Sequence, residues 1–385
     1  MILVAEALAR ILAGVALTGV EMVPLSAAAG RVLALPVLAR VTQPPHDVSA
    51  MDGYAVGPGT EWTVIGTAPA GHPFAGSVGP GQAVRVFTGS VVPPGTIRVA
   101  VQEDATRDGD RLQVAPSTNR HIRAAGQDFI MGDAVLAAGQ LLSPRAIGLA
   151  AAANYPWLAV RRRPRVAILA TGDEVALPGE PIPPGGIVSS NAHSIAALVQ
   201  LAGGEPVVLP IASDDAESLS VAISTLNADI LVTCGGASVG THDLVQPALL
   251  AAGFERSFWQ VAMRPGKPSL FGHLRGMPVL GLPGNPVSAY VCAVLFLRPA
   301  LAAMLGRDPV LPFVSRQLGA AMAANDHRQD YIRATRSGDV VTPAPRQDSS
   351  LLTVLVSAES LIVRAPNAPA AGVGASVLAL DLDPY

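Results

Sequence analysis

The stretch from Asp229 to Ala289 constrains this chain most. It opens with the apolar run Asp229-Ile-Leu-Val-Thr-Cys234 and breaks into Gly235-Gly-Ala-Ser-Val-Gly240, followed by Thr241-His-Asp243. Met263-Arg-Pro-Gly-Lys-Pro268 and Pro278-Val-Leu-Gly-Leu-Pro-Gly-Asn-Pro-Val-Ser288 come next. Strand-like runs thus end in Gly- or Pro-rich loops, and two of those loops lead into helical sequence. In an open α/β sheet, such loops gather at the carboxyl ends of the strands, where ligands bind. Their unpaired backbone N–H groups, aligned with helix dipoles, favour anions. Gly235, Gly236, Ser238 and Gly240 in the first loop, and Pro283, Gly284, Asn285 and Ser288 in the last, therefore predict a site for phosphate or another oxyanion.

The alternation extends upstream. Val166–Ala170, Val207–Ile211 and Ile230–Thr233 read as strands. Helices are expected from Asn191, as N-cap, to the Gly203-Gly204 pair, over Glu217–Leu226 and over Leu244–Ala252. Strands alternating with helices predict a parallel three-layer α/β domain over residues 163–306. Residues 45–132 have another texture: short runs at Trp62–Gly66, Ala83–Phe87, Ile97–Gln102 and Arg111–Ala115, separated by Gly, Pro and Asp, predict a small β-rich domain. Val4–Val15 has helical spacing, and Arg31–Leu38 reads as a short strand region. Ser143 and Pro144 open a helix as N-cap and first helical residue. Packing of that helix on the N-terminal one is expected, making 1–44 plus 133–162 one helical and linker domain into which 45–132 is inserted. From 307 to 385 the runs at Tyr331–Thr335, Leu361–Arg364 and Val377–Leu380 predict a C-terminal β domain. The expected fold class is multidomain α/β.

Composition narrows the function. Hydrophobic residues are 50% and aromatics 4%, so Ala, Val and Leu must fill the cores. The longest apolar run, Val287–Met304, contains Arg298-Pro299 and reads as a buried helix rather than a membrane span. The N-terminus lacks the basic region and cleavage site of a signal peptide. Cys234 and Cys292 have neither disulfide nor zinc spacing, which fits a reducing cytoplasm. A net charge of −3 argues against a general nucleic-acid binder. Among 26 basic residues, Lys267 is the only lysine. A base-composition bias accounts for the scarcity of lysine and leaves the position of this one unexplained.

Three constellations carry chemistry. Gly236-Ala-Ser-Val-Gly240 matches the G-x-S-x-G nucleophile elbow, with Asp243 and either His273 or His327 as partners for Ser238. Against a hydrolase stand the missing HGGG-type oxyanion segment and an acid only five residues past the serine. Glu174, Asp215 and Asp243, each at a predicted strand end, form a set suited to Mg²⁺, which takes oxygen ligands. Asp52 and Asp128 add carboxylates from the β domain. Arg264 and Lys267 place two cations in a proline-stiffened loop, as an oxyanion clamp. Asn285 and Pro286 read as N-cap and first helical residue, a start that also binds anions.

Taken together, Ser49-Ala-Met-Asp-Gly-Tyr-Ala55, Val86-Phe-Thr-Gly89, Thr171-Gly-Asp-Glu174, the Gly235–Gly240 loop with Asp243, Pro265-Gly-Lys-Pro268 and Pro283-Gly-Asn-Pro-Val-Ser288 resemble the molybdopterin molybdenumtransferases. These are MoeA in bacteria and the E domain of gephyrin in animals. The resemblance implies four domains, the third with the MogA-like molybdopterin-binding fold. It also implies a homodimer whose active cleft lies between subunits. The implied reaction takes adenylylated molybdopterin and molybdate and releases molybdenum cofactor and AMP, using Mg²⁺. Molybdopterin adenylyltransferase and molybdoenzymes are the implied partners. By position, Asp52, Thr88 and Asp128 match functional residues of the second domain, and Glu174, Asp215 and Asp243 match acids for metal and pterin phosphate. Lys267 and Ser288 match molybdate residues, joined by Arg333 of Asp330-Tyr-Ile-Arg333 and Ser349 of Gln347-Asp-Ser-Ser350. No protein nucleophile is implied, which leaves Ser238 a loop residue. Val48, Arg264, Cys234 and Thr241-His242 depart from the family pattern. Those departures keep two alternatives open: a paralogue, and an E-domain-like scaffold without turnover.

Overall fold

A computed structural model describes residues 1–212, 221, 226–235 and 245–382. The chain divides into two compact units, Met1–Glu21 with Arg161–Tyr385, and Met22–Val160.

The first unit is built on a six-stranded sheet. Its strand order is Glu205–Val208, Arg165–Ala170, Ile230–Cys234, Met277–Leu282, Leu270–Leu274, Phe254–Trp259. The central strands are apolar along their whole length because both faces are covered. Val166 and Ile168 face one core and Ala167 and Leu169 the other; Val232 and Leu231 divide in the same way. The Asn191–Leu201 helix fills one side with Ile195, Leu198 and Val199, and the Val245–Ala251 helix fills the other with Val245 and Leu249. The three-layer expectation is met.

The all-parallel expectation is not. Four strands are parallel, but Leu270–Leu274 runs antiparallel to Met277–Leu282, and Phe254–Trp259 runs antiparallel to Leu270–Leu274. Arg275 and Gly276, at φ 51° and 83°, form the two-residue connection. Two positive φ values in a row give the twist that a tight hairpin needs. The hairpin decides where the site lies. Leu270 pairs with Gly281, so the loop entering Leu270 reaches the same sheet edge as the loops leaving Cys234 and Leu282.

Two boundaries also differ from expectation. The strand placed at Val207–Ile211 forms at Glu205–Val208, and the helix starting at Asn191 has Ser190 as its N-cap. The expected Glu217–Leu226 helix falls largely outside the described residues. From Pro286 to Met304 one apolar helix runs through the core, with a π turn at Ala293–Leu297. The π turn precedes Pro299, which has no N–H for the preceding turn and whose ring would clash there. Among the described residues this is the one helix long and apolar enough to cross a membrane, and most of it is buried.

The C-terminal part closes on itself. Gln329–Ser337 pairs with both Val340–Pro343 and Ser360–Arg364, completing a ring through Phe313–Leu318 and Ser376–Asp381. Leu318, Ala334, Val341, Ile362 and Ala379 fill it.

The second unit holds a separate six-stranded sheet in the order Arg98–Val101, Gly53–Val56, Gln82–Val86, Trp62–Ala68, Arg111–Val114, Ala105–Asp108. Tyr54 and Val56 pack on one face and Ala55 on the other. The helix Pro144–Ala152 begins as its sequence predicts, with Ser143 Oγ accepting a hydrogen bond from Ala146 N at 3.2 Å. Its Ala146 and Ala150 join Leu33, Phe129 and Leu158. The N-terminal helix does not pack with it. Val4, Ala7 and Ile11 lie instead in the core of the first unit, where Ile2 N donates to Gln260 O and Ala262 N to Ile2 O.

Because Ser143 satisfies an otherwise unpaired helix N–H, Ser143→Ala should destabilise the Met22–Val160 unit by about 1 kcal/mol. Denaturant unfolding followed in that unit checks this; an unchanged midpoint would show that the cap contributes nothing.

Candidate active site

Three loops converge at the carboxyl edge of the first sheet. Gly235, at φ 99°, donates its N–H to Leu282 O at 3.1 Å. Thr171 and Gly284 lie beside it: a Cβ added at Gly235 would lie 3.7 Å from Thr171 Oγ1, and one added at Gly284 would lie 3.9 Å from Gly235 Cα, both ordinary contacts. Asn191 Nδ2 donates to Gly284 O at 2.7 Å and holds the Pro283-Gly284-Asn285 turn from the side. That contact explains why Asn191 is not the N-cap: its amide is engaged across the loop.

Asn285 and Pro286 take the places their sequence predicts, N-cap and first helical residue. The Asn285 side chain makes no bond to its own helix. Its Nδ2 donates to Ser349 Oγ at 2.9 Å, and Val287 N donates to Ser349 O at 3.1 Å. Ser288 is buried one turn along. The helix start and the Gln347–Ser350 segment are therefore joined.

Arg333 reaches the same segment and is 1% exposed. Its Nε donates to Gln347 Oε1 at 3.2 Å and its Nη1 to Asp348 O at 2.9 Å. Burial pulls its pKa down, with the nearby Asp348 charge acting in the opposite direction. Its hydrogen-bond partners are neutral, and no ion pair to it occurs among the described residues. A buried cation with only neutral partners is electrostatically incomplete, and an anion completes it.

The Lys267 loop is fixed from below. Gly266 has φ 112°, and a Cβ there would come 2.3 Å from Cys292 Sγ, so only glycine fits. Ser269 Oγ donates to Gly266 O at 2.7 Å and lies 3.4 Å from Cys292 Sγ. Val261 N and Ser269 N both donate to Lys267 O at 3.0 Å. The Lys267 side chain is exposed, and its ammonium makes no bond among the described residues. Burial pushes the thiols of Cys234 and Cys292 up to about 12, so both are neutral packing groups near neutral pH.

Arg264 departs from the expected two-cation clamp. Its Nη2 pairs with Asp330 Oδ2, and its Nε donates to the same oxygen at 3.1 Å. Asp326 lies 3.5 Å away and Asn325 Oδ1 3.4 Å away. Carboxylates already neutralise this guanidinium, whereas Lys267 has no such partner among the described residues.

Of the three sheet-edge acids, Glu174 is described. It is exposed, and its carboxylate folds over Gly172, where an added Cβ would lie 2.6 Å from Glu174 Oε2. Asp215 and Asp243 lie outside the described residues, as do Gly236, Ser238 and Gly240. Among the described residues, no group of three His, Cys, Asp or Glu is placed to hold a metal. His273 is removed from the hydrolase constellation. It pairs with Pro278 at the opposite end of the sheet, and its Nε2 lies 2.8 Å from Gly14 O.

In the second unit, the antiparallel pair Ile122–Arg123 with Val48–Ser49 draws the 43–52 and 121–129 segments side by side. Asp128 is exposed, with its N–H donating to Gln43 O at 3.0 Å. Val48, a departure from the family pattern, bridges to Val91. Asp52 Oδ1 accepts from Thr88 N at 2.7 Å and from Thr88 Oγ1 at 2.9 Å. The Thr88 backbone bond, then its hydroxyl and the Arg85 charge, hold the Asp52 carboxyl below the usual carboxylate range. Arg85 lies 5.0 Å from each of the Tyr54 and Phe87 ring centres. Its Nη2 donates to Gln102 Oε1 at 2.6 Å, and Gln102 N donates to Asp52 O at 3.1 Å. Sequence reasoning missed Arg85, Asn191 and Asp330; none lies in a motif that announces its partner.

The chain thus combines a loop-edged α/β sheet, a closed C-terminal barrel and a β-rich second unit. The family described as MoeA N-terminal region (domain I and II) matches residues 2–154, the probable molybdopterin binding domain 167–303, and MoeA C-terminal region (domain IV) 315–382. The chain belongs to the molybdopterin molybdenumtransferase family, enzymes of molybdenum cofactor biosynthesis. It is 35% identical over 365 residues to molybdopterin molybdenumtransferase 2 of Mycobacterium tuberculosis, covering 88% of this chain and 89% of that one. It is 36% identical over 333 residues to molybdopterin molybdenumtransferase of a Nostoc species, covering 81% and 76%. The crystal structure of a molybdopterin biosynthesis MoeA protein from Pyrococcus horikoshii superposes with a TM-score of 0.88 at 26% identity, covering 100% of both chains.

The Asp52 geometry gives a pH test. Thr88→Val removes the hydroxyl donor, so the Asp52 carboxyl should titrate closer to the ordinary range in a ¹³C carboxyl NMR titration. A group with a depressed pKa favours the folded loop above its unfolded pKa and loses that preference as pH falls through the folded value. The variant should therefore lose loop order at a higher pH than the wild type. An unshifted Asp52 resonance would show that the hydroxyl bond does not hold the carboxylate.

Proposed function

We propose that this chain inserts molybdate into adenylylated molybdopterin and releases AMP in a Mg²⁺-dependent reaction. The observation that carries the reading is the buried Arg333, whose side chain donates only to neutral groups of the Gln347–Ser350 segment that is joined to the Asn285–Ser288 helix start. Molybdate is a tetrahedral dianion. The free ammonium of Lys267, the Arg333 guanidinium and the hydroxyls of Ser288 and Ser349 are the donor types such an ion needs. Lysine suits it because its compact charge carries three rotatable donors, where arginine presents a planar fork.

The Gly235 and Gly284 loops, held close without side chains, admit a phosphate to backbone donors. Glu174, Asp215 and Asp243 would hold Mg²⁺, and their all-oxygen character fits its ligand preference. The ion supplies charge neutralisation as the phosphoanhydride breaks. Asp52, held ionised by Thr88, and Asp128 serve the adenylylated substrate from the second unit. We infer further that the chain acts as a homodimer in the cytoplasm, receiving substrate from a molybdopterin adenylyltransferase and passing product to molybdoenzymes. A scaffold without turnover has no use for the buried Arg333 or the free Lys267.

Purified protein incubated with adenylylated molybdopterin, molybdate and Mg²⁺ should release AMP. Glu174→Gln should lower that rate roughly a hundredfold at limiting Mg²⁺, while Ser238→Ala should keep most of it and remain unlabelled by a fluorophosphonate. Absence of AMP release from the wild type would overturn the transferase reading. Complete inactivation by Ser238→Ala with fluorophosphonate labelling of the wild type would replace it with a serine hydrolase.

A further inference from the structure

We propose that Asp330 is a positioning residue, fixing the loop that presents Lys267 by gripping Arg264. The proposal rests on the reading of Lys267 as an oxyanion ligand.

The argument starts from the backbone. Met263–Arg264 forms a two-residue strand, parallel to Gln329–Asp330, with Arg264 opposite Asp330. Gln329 N donates to Ala262 O at 2.9 Å. The loop leaving the sheet at Trp259 is thereby tacked onto the Gln329–Ser337 strand of the C-terminal barrel, whose register also carries Arg333. Lys267 follows Arg264 by three residues, so whatever fixes Arg264 limits where the ammonium reaches.

The side chains reinforce the tack. Asp330 is 4% exposed, and Nε and Nη2 of Arg264 both donate to its Oδ2. Among the described residues its Oδ1 is buried with no hydrogen-bond partner, and the charge of this carboxylate is compensated at Oδ2 by Arg264. A buried carboxylate left without its cation is strongly unfavourable, which makes the grip selective for Arg264. Asp326, 3.5 Å from Arg264, is itself held by Arg328 at 2.6 Å, and that bond keeps its carboxyl far below the usual range. Arg264 thus faces two carboxylates. The Gly266–Cys292 contact fixes the loop from one side, and the Asp330–Arg264 pair fixes its entrance. A lysine at 264 could not supply two nitrogens to one buried oxygen in this way.

Lys267 is the only lysine, so its ε-amine reports on the loop without interference. Amine labelling at Lys267 is measured by mass spectrometry and normalised to the α-amine, with and without molybdate. In the wild type, molybdate should slow labelling of Lys267 and leave the α-amine unchanged. In Asp330→Asn, the molybdate concentration giving half-protection should rise roughly tenfold or more, the loss expected for a hydrogen bond to a charged group. Arg264→Gln should give a similar shift. The double variant should add little to either, because the two residues act through one bond. Thermal melting verifies folding; if Arg264→Gln, which leaves the buried Asp330 without its cation, does not fold, Asp330→Asn carries the test, since it removes the buried charge and leaves a half-exposed guanidinium. Unchanged half-protection in the folded variants, or fully additive shifts, would overturn the proposal. A merely structural tie would lower the melting temperature and leave half-protection where it was. Absence of protection in the wild type would instead overturn the oxyanion reading. The grip would then be judged on molybdate-free labelling of Lys267, which the variants should change severalfold; an unchanged rate would overturn it.

Discussion

The antiparallel pairing of Leu270–Leu274 with Met277–Leu282 is the constraint on which the rest of the site depends. In a purely parallel sheet, a loop entering a strand lies at the edge opposite the loops that leave its neighbours. Here one reversed strand brings the Lys267 loop beside the loops that follow Cys234 and Leu282. The tight Arg275-Gly276 turn fixes the register, and a slip of one residue would turn Leu270 and Leu274 out of the core they help fill. The positions of Lys267, Gly235 and Asn285 therefore follow from strand pairing rather than from their own local conformation.

On that frame the charges are divided between jobs. Arg264 is neutralised by Asp330 and Asp326 and serves the backbone. Lys267, three residues on, has no such partner among the described residues. Arg333 is buried against an amide and a carbonyl. Neither cation has an ion pair among the described residues, and Arg333 lies close to the helix start tied to Ser349, an arrangement that favours an anion. Packing makes the arrangement rigid: Gly266 rests on Cys292, and Asn191 steadies Gly284. Both cysteines, neutral by burial, act here as small apolar side chains.

What the sequence disclosed was mostly local. Ser143-Pro144 starts a helix because a hydroxyl and a missing N–H suit a helix end, and no distant residue is needed to see it. The strands around Trp62, Val84, Val99 and Leu112 were visible because Gly and Pro punctuate them. Asn285-Pro286 was placed correctly, yet the amide bonds Ser349, 64 residues away, which no capping rule foresees. Asn191 was misplaced for the same reason, since its partner Gly284 is 93 residues on. The hairpin was missed because the short run Leu270–Leu274 was not read as a strand and Arg275-Gly276 is not among the strongest turn signals. Arg264 and Lys267 looked equivalent in the loop. They separate only through Asp330, 66 residues from Arg264, whose burial depends on a barrel that closes far from both.

The central claim is that Lys267, Ser288, Arg333 and Ser349 together define the oxyanion position. Anomalous scattering at the molybdenum edge, from crystals soaked in molybdate, tests this most directly. The account predicts a molybdenum peak within hydrogen-bonding reach of the Lys267 ammonium, the Arg333 guanidinium and the Ser349 hydroxyl, and its loss in crystals of Lys267→Gln. A peak coordinated elsewhere, or one that persists unmoved in Lys267→Gln, would contradict it.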